Sequence, residues 1–148
     1  MSEDLPGAVL FACRQNCIRS TMAEGLMKHF YGHRVHVQSC GVKPGDKDMF
    51  VQAVMDEVGV DLSNFSSRSF EDLEDTNFDL VISLSPPAHH KAMEMTRTMA
   101  MDVEYWPTLD PSVVSGSREQ IMDSYRSVRD AITKKMKDRF GVLAARGV

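Results

Sequence analysis

The run Ala8-Val9-Leu10-Phe11-Ala12 carries no polar residue on either side of its pleat. Successive strand residues point to opposite faces, so such a run belongs to a strand buried on both sides. It passes through Cys13-Arg14-Gln15-Asn16-Cys17-Ile18-Arg19-Ser20 into a helical pattern over 21–31, with Met22, Ala23, Leu26, Met27 and Phe30 on one face. A doubly buried strand followed at once by a helix is the opening of a parallel α/β sheet.

The rest of the chain repeats that order. A short strand is expected over 35–39, ending at Gly41. A helix follows over 48–58, with Phe50, Ala53, Val54 and Val58 as its buried stripe and Gly59 at its stop. The nearly continuous apolar stretch 78–84 predicts a third strand, and Ser85-Pro86 supplies a cap with proline at the first helical position. A weaker strand is expected over 100–105. The last helix starts at Ser117, which pairs with Gln120 as a capping box, and runs to about Phe140 with Ile121, Tyr125, Val128, Ile132 and Met136 at helical spacing. The alternation implies an α/β fold whose parallel sheet is covered by helices on both faces. With no repeat, low-complexity tract or linker, residues 1–148 are expected to form a single domain, its core at roughly 6–140.

In such sheets, sites form beyond the carboxyl ends of the strands. Cys13 follows the first strand and Asp110 lies in the loop after the fourth, so both are expected at one crevice. A thiol and an arginine five residues apart, bent round a strand-to-helix turn, make a cup for a tetrahedral oxyanion. The helix N-terminus adds unpaired N–H donors and partial positive charge, a setting that favours thiolates. Cys13 is the expected nucleophile, forming a phosphocysteine. Arg19 would hold two oxygens through its planar fork. Arg14, Gln15, Asn16, Cys17, Ile18 and Ser20 complete the anion-binding loop. Ser20 is suited to donate to the sulfur, and Asn16 to hold a left-handed turn. Asp110, stiffened by Pro111, is the expected general acid and later general base. Trp106 is a candidate pocket wall, with core packing as the competing role.

Composition narrows the partners. A formal net charge of −4 without a Lys/Arg run disfavours nucleic acid. No stretch approaches the roughly 18 apolar residues of a membrane span. Three cysteines, two of them in one loop, do not form a disulfide framework, and the acidic start lacks a signal peptide's pattern. A cytoplasmic protein, monomeric or weakly dimeric, is expected.

The residues Val9-Leu10-Phe11-Ala12-Cys13, Asn16, Arg19-Ser20 and Met22-Ala23-Glu24 resemble the low-molecular-weight protein tyrosine phosphatases and the arsenate reductases of the same fold. The resemblance continues through Ser39-Cys40-Gly41, Gly59-Val60-Asp61-Leu62-Ser63, Ser67-Arg68, Asp79-Leu80-Val81-Ile82 and Asp110-Pro111. It implies a four-stranded parallel sheet, a phosphorylated protein or small phosphomonoester as substrate, no cofactor and no metal, with Cys13, Arg19 and Asp110 catalytic. The chain departs from the family pattern at Gln15, usually Gly, and at Ile18, where a second cysteine usually stands. It departs again at Thr21, usually Pro, and at Ser112-Val113-Val114, where eukaryotic members carry tyrosines.

Three other readings compete. Arsenate reduction requires electrons relayed through thiols, and the segment Ser83-Leu84-Ser85-Pro86-Pro87 lacks the cysteines of thioredoxin-linked members, so an external thiol would be needed. Cys40 is expected in the core. A non-catalytic phosphate-binding protein is the second alternative. The third is a zinc module built on Cys13, Cys17, His29 and His33, which the strand-loop-helix context disfavours. The acidic run from Glu71 to Asp75 is expected as a solvated turn, and His89-His90 as a surface pair.

Overall fold

β1 (Ala8–Cys13) lies between β2 (His36–Gly41) and β3 (Leu80–Ser83), and β4 (Asp102–Tyr105) forms the far edge of a four-stranded sheet. Every pairing is parallel. The computed structural model describes residues 5–32, 34–73 and 77–141. Among the described residues, four α-helices connect and follow the strands: α1 (Arg19–Tyr31), α2 (Met49–Asp56), α3 (Pro86–Met95) and α4 (Arg118–Phe140).

The unbroken apolar run of β1 is explained by its central place. Val9, Phe11 and Cys13 face one core with side chains of α1, α2 and α4, whereas Leu10 and Ala12 face a second core with Ala88 and Ala92 of α3. Those two alanines let α3 lie close on the sheet. Helices therefore cover both faces. Among the described residues, no helix is long and apolar enough to cross a membrane.

Several boundaries differ from the sequence expectation. β2 runs two residues past Ser39, because Cys40 and Gly41 continue to pair with Ala12 and Cys13. α1 begins at Arg19 rather than Thr21, which places Arg19 and Ser20 in its first turn. α2 ends at Asp56, since Val60 N–H turns back to the Met55 carbonyl (3.0 Å) and Gly59 takes φ 81°. Val58 consequently leaves the expected stripe and is exposed. β4 starts at Asp102, two residues after the expected position.

Two helix starts show the chemistry that stops the chain fraying. Asp48 Oδ1 accepts from Phe50 and Val51 N–H at 2.8 and 3.3 Å, while its Oδ2 accepts from Tyr125 of α4 at 2.8 Å. Ser117 and Gln120 form the reciprocal capping box expected at the start of α4. Ser85 precedes Pro86 and Pro87 at the start of α3, but its hydroxyl makes no capping bond and is buried without a partner. The Glu71 acidic segment begins as a 3-10 turn, Phe70–Asp72, capped by Ser69; residues 74–76 lie outside the described residues.

Candidate active site

β1 delivers Cys13 to the carboxyl edge of the sheet, and the chain must reverse into α1 within five residues. Asn16 makes this possible by adopting φ 55°, the left-handed region that a short polar side chain tolerates better than most. Its side chain is then fully buried beneath the loop. Asn16 Nδ2 donates to Ser20 Oγ (2.8 Å) and to Ser39 Oγ (2.9 Å), and its Oδ1 accepts from Arg68 N–H (2.9 Å). The loop is also fixed to the chain following β2: Val42 and Lys43 N–H donate to the Cys13 and Arg14 carbonyls at 3.1 and 3.0 Å.

Cys13 Sγ sits at the floor of a pocket lined by Cys13, Arg14, Gln15, Cys17, Ile18, Arg19, Asp110 and Ser112. The sulfur accepts from Asn16 N–H at 3.3 Å and lies 2.9 Å from Ser20 Oγ. The first turn of α1 adds N–H groups that have no partner within the helix. Arg19 is 9% exposed and donates from one arm of its guanidinium to the Thr108 carbonyl (3.0 Å). This bond ties the loop between β1 and α1 to the segment that carries Asp110. Asp110 Oδ1 accepts from Ser112 N–H and Oγ at 2.9 and 2.7 Å, which fixes the carboxylate at the start of a 3-10 turn, Pro111–Val113.

The expected site residues thus divide. Cys13, Arg14, Gln15, Cys17, Ile18, Arg19 and Asp110 line the pocket, while Asn16 and Ser20 support it from beneath. Trp106 is not among the residues that line this pocket; it lines a neighbouring, largely apolar cleft that also contains Asp110. It is buried against Phe11 and Phe140, with ring centroids 6.1 and 6.2 Å away, and its Nε1 donates to Glu104 at 3.0 Å. Sequence reading missed the Thr108, Glu24 and Arg68 contacts, which join residues distant in the chain, and also the Ser112 bonds to Asp110, which are local.

The other two cysteines occupy different settings. Cys17 is half-buried, and burial, followed by neighbouring Cys13, Asp48 and Asp110, pushes its thiol up from 9.0 to about 11. Cys40 is fully buried and projects with Ala12 into the core opposite the one that Cys13 faces. Burial also raises the Cys40 thiol. Among the described residues, no group of three or more His, Cys, Asp or Glu side chains is arranged to hold a metal; His33 lies outside them.

The sequence signature of the family described as low molecular weight phosphotyrosine protein phosphatase matches residues 8–146. The chain belongs to that family. It is 32% identical over 130 residues to an arsenate reductase of Bacillus subtilis, covering 88% of this chain and 92% of that protein. It is 30% identical over 131 residues to a glutaredoxin arsenate reductase of Synechocystis, covering 88% and 93%. A solved arsenate reductase in its phosphate-binding state superposes with a TM-score of 0.74 at 28% identity, over 90% of this chain and 96% of that one. The family is one of cysteine-based enzymes with the phosphatase fold.

Proposed function

We propose that this family member hydrolyses phosphomonoesters, foremost phosphotyrosine on proteins, through a cysteinyl-phosphate formed on Cys13. The observation that carries the reading is the convergence of the Cys13 sulfur, Arg19 and Asp110 on one small pocket, with the Ser20 hydroxyl 2.9 Å from the sulfur.

In the first step the Cys13 thiolate attacks phosphorus, and the P–O bond to the leaving group breaks. Asp110 gives its proton to the departing oxygen. The loop amides and Arg19 stabilise charge on the equatorial oxygens. In the second step Asp110 takes a proton from water, the water oxygen bonds to phosphorus, and Cys13 leaves as thiolate with Ser20 donating to it. Phosphate is released and the enzyme regains its starting state.

Arsenate reduction is the second reading, and the names of the curated relatives favour it. Cys13 would displace hydroxide from arsenate, and a thiol would then attack the Cys13 sulfur. A disulfide forms, and the S–As electron pair reduces arsenic and releases arsenite. The thiol inventory weighs against an internal relay. Cys40 points into the other core, and Cys17 is held protonated well above neutral pH. The reducing thiol would have to come from outside the chain.

Parallel turnover of para-nitrophenyl phosphate, a phosphotyrosine peptide and arsenate with glutathione and glutaredoxin tests both readings. Phosphate release from the first two without arsenite formation is the expected result. Arsenite formation without phosphate release would overturn the phosphatase assignment.

A further inference from the structure

The segment that follows β4 borders two hollows. Asp110 and Ser112 line the Cys13 pocket, Leu109, Val113 and Val114 line a larger cleft against α4, and Asp110 belongs to both. The cleft has a volume of about 770 Å³, against about 100 Å³ around Cys13. Buried Trp106, Val128 and Ile132 line its inner side, and Ser127, Ala131 and Lys135 form an exposed stripe along its α4 wall. Apolar surface left in water is unfavourable. Among the described residues, Leu109, Val113 and Val114 are 84%, 79% and 40% exposed, three of the seven large apolar side chains left open to solvent. Such a concentration within six residues, beside a reactive pocket, marks a surface that something apolar covers.

Position and charge indicate what covers it. A substrate whose phosphoryl group rests on Cys13 has its leaving oxygen at Asp110, so the chain carrying that oxygen emerges at the border the two hollows share. Ser124 Oγ donates to the Pro111 carbonyl at 3.4 Å, which fixes the near end of the cleft beside Asp110. Lys135 marks the far end. Between Ser124 and Lys135 the helix climbs about 16 Å, the span of roughly five extended residues. Lys134 pairs with Asp138 at 2.9 Å, but Lys135 has no carboxylate partner among the described residues. The cleft is thus apolar along its length and cationic at the end remote from Asp110.

We infer that this cleft takes an extended stretch of the substrate protein, with apolar side chains next to the phosphotyrosine and a carboxylate about five residues away that meets Lys135. The inference rests on the phosphatase reading and narrows the class of substrate within it. Leu109, Ala131 and Lys135 are then specificity residues: they touch the flank of the substrate and take no part in phosphoryl transfer.

Matched phosphotyrosine peptides provide the test. One carries four apolar residues and then a glutamate on the C-terminal side of the phosphotyrosine, and a second carries them on the N-terminal side. Each has a control in which Gly and Ser replace the apolar residues. The better apolar peptide should exceed its control by roughly tenfold in kcat/KM, the scale of a filled apolar subsite. Ala131→Gln puts a bulkier polar group on the exposed face of α4. It should abolish that preference while turnover of para-nitrophenyl phosphate stays at the wild-type level. Lys135→Glu should lower kcat/KM for the preferred peptide about threefold, the scale of an exposed ion pair, and a lysine in place of the peptide's glutamate should restore it. Equal kcat/KM for apolar and control peptides, a preference that survives Ala131→Gln, or no effect of Lys135→Glu overturns this inference alone. Sedimentation in which Ala131→Gln dissolves a wild-type dimer, with the peptide preference unchanged, assigns the cleft to a second copy of the chain and overturns it too. A wild type that releases no phosphate from para-nitrophenyl phosphate or from any peptide overturns the phosphatase reading instead.

Discussion

Gly41 lies directly beneath the backbone of Asn16: a methyl group on its α-carbon would come within 2.6 Å of the Asn16 nitrogen and 2.7 Å of the Gln15 carbonyl carbon. Both atoms are backbone, so no side-chain rotation relieves the clash. The loop between β1 and α1 is seated on the end of β2, and its height above the sheet depends on that missing Cβ. Gly41→Ala should therefore raise the dissociation constant for phosphate or vanadate and lower kcat/KM by at least about tenfold, a loss that small displacements of reacting groups readily cause. Far-UV circular dichroism should remain that of the native sheet and helices. Equal oxyanion affinity in the two proteins would mean that the loop does not depend on this close approach.

Replacing Cys13 by Ser removes the proposed nucleophile but leaves the loop amides and Arg19. Turnover of an aryl phosphate should fall by a factor on the order of 10^4 or more. Vanadate or phosphate binding, measured by calorimetry, should persist. Retained turnover would show that another group attacks phosphorus.

Asp110→Asn keeps the shape of the Ser112 contacts but cannot transfer a proton. Phenyl phosphate, with its poor leaving group, should lose on the order of a hundredfold to ten-thousandfold in kcat/KM, and para-nitrophenyl phosphate much less. The slope of log(kcat/KM) against leaving-group pKa is the measurement. An unchanged slope would remove Asp110 from the role of general acid.

Base should destabilise the fold before it damages the pocket. Burial raises the thiols of Cys17 and Cys40, and burial together with a hydrogen bond to Asp48 raises the Tyr125 phenol. The unfolded chain starts to release the thiol protons near pH 9, whereas the native state keeps them. The unfolded form thus binds fewer protons, and unfolding free energy falls as pH rises. For Cys17 the fall spans pH 9.0 to about 11. Urea midpoints measured from pH 7.5 to 11 should decline, and Cys40→Ala should flatten the decline even though it lowers the starting value. A midpoint independent of pH over this range would contradict the assignment.

The main elements could be read from the sequence because their signals are local. The doubly apolar β1 and the Ser117–Gln120 box each declare themselves within a few residues. The α2 stop was misjudged because Val58 fits the apolar stripe, yet the turn back to Met55 takes it out. Cys13, Arg19 and Asp110 could be grouped in advance by their spacing and by the carboxyl-edge argument. The support beneath them could not. Asn16 meets Ser39 and Arg68 across 23 and 52 residues, and Arg19 meets the Thr108 carbonyl across 89. Such contacts exist only once β2 and the loops beyond it have been stacked beside β1. Trp106, read as either a pocket wall or a core residue, packs against Phe11 and Phe140 and edges the cleft that also contains Asp110.

The helices that start beside β1 and β3 are chemically unequal. α1 begins with amides that carry hydrogen, whereas α3 begins with Pro86 and Pro87, which have none to offer. Of these two neighbouring berths along the rim, the second has lost its first two helical N–H donors to its own side chains. An oxyanion reaching that rim therefore finds a fuller set of backbone donors at α1 than at α3.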